Sequence, residues 1–158
     1  MHATLEKFGY PATCLFESPH WVVLLRPVQC TLGALILCST TYERALPSLP
    51  SAAFIDLKDV CRRLEYALSE SFGHEKINYL MLMMVDPEVH FHVVPRYSSE
   101  QVFAGYHFPD TGWPGPPDIA AGVSTDDALA AALITVLRAH LPTQGTIAES
   151  YDPTPPAL

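Results

Sequence analysis

From Val89 to Val94 the chain alternates residue by residue, Val-His-Phe-His-Val-Val, before Pro95 and Arg96. A period of two points to an extended strand, whose successive side chains leave opposite faces. His90 and His92 then share one face, and Val89, Phe91 and Val93 the other. On a strand rising about 3.3 Å per residue the two imidazoles stand roughly 6.6 Å apart, close enough to touch one substrate group and its leaving atom. A neutral imidazole keeps a lone pair at pH 7 and leaves readily once protonated. His90 is therefore suited to nucleophilic attack at phosphorus, with His92 placed to orient. An H-x-H pair also serves metal sites, but those need a further carboxylate and histidine aimed at the same ion. Glu100, the nearest acid downstream, lies beyond Pro95 and outside the strand register, so neither a metal nor a cofactor is expected.

Other runs supply neighbours for that strand. Trp21–Leu25 and Leu35–Cys38, rich in Val, Leu and Ile and separated by Pro27 and Thr31-Leu32-Gly33, predict a first hairpin with a long turn. Ile77–Val85 and Val89–Val94, broken at Asp86-Pro87, predict a second. Between them Ser51 is placed to cap a helix in which Phe54, Leu57, Cys61, Leu64, Leu68 and Phe72 recur at three and four, closed by Gly73. Ser124 and the acidic pair Asp126-Asp127 introduce another helix, carrying Leu129, Leu133, Val136 and Leu137 to His140. Residues 98–123, with glycines and prolines among Phe103, Tyr106, Phe108 and Trp113, predict an ordered aromatic loop that covers a pocket or a partner. The fold class expected is α+β: an antiparallel β-sheet, one long covering helix and a C-terminal helix, in a single domain over 1–145 with a flexible Pro-containing tail at 146–158.

Composition narrows the function classes. A chain of 158 residues, 49% hydrophobic and 16% charged, can bury one domain-sized core. Nine Lys and Arg against 17 Asp and Glu leave a net charge of -8, which opposes binding to a nucleic acid polymer or an anionic membrane. A compact phosphate site remains open, since a few groups in one cleft outweigh distant charge. The longest apolar run, Tyr79–Val85, is far shorter than the roughly 20 residues of a spanning helix. No basic start with an apolar run behind it marks a signal peptide. Cys14, Cys30, Cys38 and Cys61 show no C-x-x-C spacing and are expected to be structural thiols in a cytoplasmic protein.

The histidine strand resembles the signature of the histidine triad (HIT) superfamily of nucleotide hydrolases and transferases, H-φ-H-φ-H-φ-φ with φ apolar, often followed by Pro-Arg. His90 and His92 match its second and third histidines, and Glu88 stands in the place of the first. Leu24-Leu25-Arg26-Pro27-Val28 resembles the family's substrate-facing strand. Leu32-Gly33-Ala34-Leu35-Ile36-Leu37 resembles its G-H-x-L-φ-φ strand, with Ala34 where another histidine would stand. The likeness spans residues 15 to 97. It implies a homodimeric nucleotide hydrolase or nucleotidyl transferase. The substrate would be a nucleoside phosphate derivative, such as a dinucleoside polyphosphate or nucleoside phosphoramidate, and the intermediate a nucleotidyl-histidine on His90, with His92 holding or protonating the group transferred. Arg26 and Arg96 are the candidates for gripping phosphate oxygens, and Glu88, with its carboxylate expected on the His90 face, is a third substrate contact. The short Asp86-Pro87 turn replaces a Gly-containing loop that carries Gln or Ser near the scissile phosphate. Glu88, Ala34 and that turn equally suit a second reading, a catalytically weak or inactive nucleotide-binding protein on the same fold.

Overall fold

The computed structural model describes residues 2–143; the expected boundary at 145 and tail at 146–158 lie outside the described residues. The chain runs α1 (Ala3–Lys7), β1 (Cys14–Glu17), β2 (Trp21–Leu25), β3 (Val28–Gln29), β4 (Leu35–Ser39), a 3-10 turn (Leu46–Ser48) and α2 (Ser51–Phe72). It continues through β5 (Lys76–Leu80), β6 (His90–Arg96), β7 (Gln101–Phe103), β8 (Tyr106–Phe108), β9 (Val123–Ser124) and α3 (Asp127–Ala139). Five strands form one antiparallel sheet in the order β1-β2-β4-β6-β5, so the predicted α+β class with a long covering helix and a C-terminal helix is what the chain adopts.

Strand alternation sorts this sheet into two faces. On one, Trp21, Val23, Leu25, Leu35, Leu37 and Val93 meet Val60, Leu64 and Leu68 of α2 and Leu133 and Leu137 of α3 in the main core. The Trp21 indole N–H donates to the Ala53 carbonyl at 2.8 Å, seating the helix. On the other, Val22, Leu24, Ile36 and Cys38 are covered by Leu5 and Phe8 of the N-terminal segment. Gly33 adopts φ +84°, and a Cβ there would stand 2.9 Å from side-chain carbons of both Leu68 and Phe72. Only glycine lets the β3–β4 connection pass beneath α2.

Several boundaries differ from the sequence expectation. Pro50, with no side-chain cap bond, occupies the N-cap of α2 and Ser51 is its first residue. Its fully buried face is Ala53, Val60, Leu64, Ala67 and Leu68, while Phe54 is exposed. The helix carries more apolar residues than one sheet face can cover. β5 stops at Leu80 rather than running to Val85: Met83 turns into the left-handed region at φ 54°, and residues 81–89 form a loop rather than a two-residue turn. The segment 98–123 contains the β7–β8 hairpin and β9, which pairs with β3, so it is not irregular throughout. α1, β1 and β3 were not anticipated; none is long enough to display a period.

Candidate active site

β6 alone places the two histidines. Cys38 of β4 lies opposite His90, and Ile36 of β4 and Leu80 of β5 flank His92. The imidazole centroids are 5.3 Å apart, and the Phe8 ring packs 6.0 Å from each. Both rings line a cavity of about 270 Å³ with Lys7, Phe8, Arg26 and Leu82–Asp86. Thus His90, His92 and Arg26 are brought together as the sequence suggested, and Lys7 joins them from a short helix that carried no signal.

The two imidazoles are not equivalent. His90 Nδ1 is 2.7 Å from the Glu88 carbonyl oxygen. A carbonyl only accepts, so the neutral ring carries its proton on Nδ1 and keeps its lone pair on Nε2. That is the tautomer a nucleophile needs. His92 has a buried Nδ1 with no partner among the described residues. Burial, then the charges of Arg26 and His90, push its pKa down to about 4, so it is neutral near pH 7. A neutral imidazole can hold a phosphate oxygen through its N–H, and this favours holding over protonating among the roles expected for His92.

Arg26 reaches the cavity with its fork already anchored. Nη1 donates to the Val28 carbonyl and Nη2 to the Ile119 carbonyl at 2.8 Å, while the buried Nε has no partner among the described residues. Its charge is thus fixed beside His92, with the Nε donor among those left unspent. Lys7 Nζ is paired with Asp86 at 2.6 Å, which ties the 81–89 loop to α1. Leu82, Met84 and Val85 of that loop are exposed at the rim. No Gln or Ser stands there.

Two expected contacts fall elsewhere. Glu88 precedes β6, so strand alternation does not govern it. Its carboxylate accepts from Thr4 Oγ1 at 2.5 Å and lies 3.8 Å from His2 Nδ1. Burial opposes the charge on Glu88, but the Thr4 hydroxyl, backbone N–H groups and His2 outweigh it and hold the carboxyl below its ordinary pKa. Only its carbonyl meets His90. Arg96 shares the histidine face, but it is four residues beyond His92, about 13 Å along the strand. Its guanidinium forks onto Asp110 at 2.7 and 3.0 Å and also donates to Asn78 and Gly115. A cavity of about 420 Å³ opens beside it, between Lys76–Asn78 and Trp113–Pro116, apart from the histidines. Ala34 is fully buried with Cys30 and Val94, two residues from Ile36, the partner of His92. Among the described residues no three His, Cys, Asp or Glu side chains are grouped to hold a metal ion.

No family model matches the chain, and no curated protein matches it by sequence. Solved structures do. A histidine triad protein from Marinobacter aquaeolei superposes with a TM-score of 0.70 at 24% identity, over 89% of this chain and 94% of that one. Another, from Bradyrhizobium japonicum, gives 0.69 at 19% identity over 89% and 96%. The chain has the histidine triad fold. Diadenosine triphosphate hydrolase from Plasmodium falciparum shares the HIT fold less fully, at a TM-score of 0.52 and 14% identity over 56% of this chain and 63% of that one. On this HIT fold the strand carrying His90 and His92 is the one the sequence singled out. No helix among the described residues is long and apolar enough to cross a membrane.

Proposed function

We propose that the protein is a HIT-type nucleotide hydrolase or nucleotidyl transferase with His90 as nucleophile. The observation that carries this is the hydrogen bond from His90 Nδ1–H to the Glu88 carbonyl, which leaves Nε2 with its lone pair in a cavity that also holds Arg26. The nucleotide class is supported by the likeness to diadenosine triphosphate hydrolase. Nε2 attacks the α-phosphorus of a dinucleoside polyphosphate or nucleoside phosphoramidate. A P–N bond forms, the bond to the leaving group breaks with its electron pair, and water or another acceptor then displaces the histidine. The Arg26 guanidinium charge stabilises the charge that builds on the phosphoryl oxygens, and His92 orients one of them through its N–H.

The test is single-turnover incubation with radiolabelled dinucleoside polyphosphates and nucleoside phosphoramidates, followed by a quench that preserves acid-labile adducts. A phosphoramidate on His90, absent from folded His90→Ala, is the expected result. The second reading, a binder without turnover, is favoured by the rim of Leu82, Met84 and Val85 where transition-state donors would serve. Nucleotide binding by calorimetry with no adduct and no product would establish it in place of the enzyme.

The protein acts as a homodimer in this proposal. Leu37, Leu57, Cys61, Tyr79 and Phe91 leave an apolar groove of about 210 Å³ beside β5, an edge of the sheet, and Phe54 and Ile55 stand exposed on α2. A second copy would bury the groove and pair the edge together.

A further inference from the structure

Two hydrogen bonds meet on the peptide that orients His90, and a third holds the side chain beside it. The Glu88 carbonyl and the Val89 N–H belong to one planar trans peptide and so point in opposite directions. The Val89 N–H donates to the Glu43 carbonyl at 2.9 Å, which sets the tilt of that plane. From the other side the Glu88 carboxylate is gripped by Thr4 Oγ1 at 2.5 Å across 84 residues of sequence. The next peptide is fixed as well, because the Ser39 N–H donates to the Val89 carbonyl at 2.9 Å. His2, itself 2% exposed, has Nε2 2.7 Å from the Ser39 carbonyl and accepts the Leu5 N–H on Nδ1, so the start of α1 is bound to the same strand end. His2, Thr4, Ser39, Glu88 and Val89 are buried, and none of them lines the cavity.

We propose that Thr4 and Glu88 are a positioning pair: the Thr4 hydroxyl fixes the Glu88 side chain, and this holds the Glu88 carbonyl against His90 Nδ1 so that Nε2 stays unprotonated in the neutral ring. The acidic residue that departs from the histidine triad pattern then has its own role, to anchor the nucleophile's tautomer from the N-terminal helix. Without the anchor the Glu88–Val89 peptide can rock about the remaining Glu43 bond, and the proton can redistribute between the ring nitrogens. The catalytic meaning of this rests on the reading of His90 as nucleophile; the tautomer does not.

Nitrogen NMR on the full chain with 15N-labelled histidine reads the tautomer directly. In the native protein at neutral pH, His90 should show a protonated Nδ1 and a bare Nε2. In Thr4→Val the two shifts should move toward each other, Thr4→Ser should restore them, and Glu6→Gln, on the exposed side of the same helix, should leave them alone. Glu88→Ala should reproduce Thr4→Val, and the double variant should go no further, since the two act as one unit. If Thr4→Val fails to fold, Glu88→Ala with its backbone carbonyl intact carries the test. On a phosphoramidate substrate kcat should fall roughly tenfold with KM nearly unchanged, the size of one lost charge-assisted hydrogen bond. Native His90 shifts in the folded Thr4→Val or Glu88→Ala protein would overturn the pair, as would an Nε2-protonated ring in the native one. Moved shifts in a protein that never forms a His90 adduct would keep the pair and sink the enzyme reading instead.

Discussion

His90 and His92 differ by what their ring nitrogens meet, although sequence makes them neighbours on one strand face. One is pinned by a carbonyl, and the other is buried beside the Arg26 charge with a nitrogen that has no partner among the described residues. The second condition has a cost in acid. His92 has its pKa lowered from 6.5 to about 4, so between those values the unfolded chain binds a proton that the folded chain refuses. Stability therefore rises with pH across that window, is complete above 6.5 and is lost on the way down to about 4. His74, lowered by burial, acts in the same direction, whereas the lowered Glu88 carboxyl adds its loss only below 4.5. Urea midpoints measured from pH 7.5 to 4 should fall as the pH is lowered below 6.5. His92→Gln should remove part of that fall and leave the share belonging to His74. An identical profile in both proteins would mean that His92 is solvated.

Residues 98–122 act as one element whose anchor is Arg96. The side chains of Arg96 and Asp110 are 5% and 1% exposed, and their fork holds the segment against the histidine face while Phe103 packs on Phe72 at 5.7 Å and Phe108 is buried in the core. None of these residues lines the histidine cavity; the segment reaches it only through the Ile119 carbonyl that holds Arg26. Asp110→Ala should cost about 3–5 kcal/mol in a denaturation experiment, because it strands a buried guanidinium. Combining it with Arg96→Met should recover much of that loss, since the uncompensated charge is then gone. Equal, additive losses would place the weight on packing rather than on the ion pair.

At the scale of the molecule, α2 carries apolar residues that nothing among the described residues covers. Phe54 and Ile55 are 42% and 77% exposed, and the groove at Leu57 and Cys61 opens beside Tyr79 of β5, an edge of the sheet. With a net charge of -8 on each copy, association must be driven by that surface and not by attraction between charges. Sedimentation equilibrium should give a dimer, and Leu57→Arg should give a folded monomer. A monomeric native chain at high concentration would remove the dimer from the proposal. Thiol chemistry has no part in it: burial pushes the Cys61 pKa up to about 11, and Cys14, Cys30 and Cys38 are raised by burial as well.

What the sequence determined alone is what repeats along the chain. Alternation in 89–94 identified β6 and its histidine face, three-and-four spacing identified α2, and the Asp126-Asp127 pair with its leucines identified α3, where Asp126 does cap the Leu129 N–H at 2.7 Å. Each is a local pattern set by backbone geometry. What tertiary structure decided is which partner each polar group finds. Ile77–Val85 reads as one strand by hydropathy, yet Leu80 is the last residue with a β6 partner, and Met83 turns away at φ 54°. Arg96 reads as a phosphate grip after the histidine strand, and Glu88 as a carboxylate on the His90 face in the place of the first histidine. Asp110 and Thr4 claim them first, and a buried charge must take the nearest fixed partner because leaving it unpaired costs more than any local preference can offset.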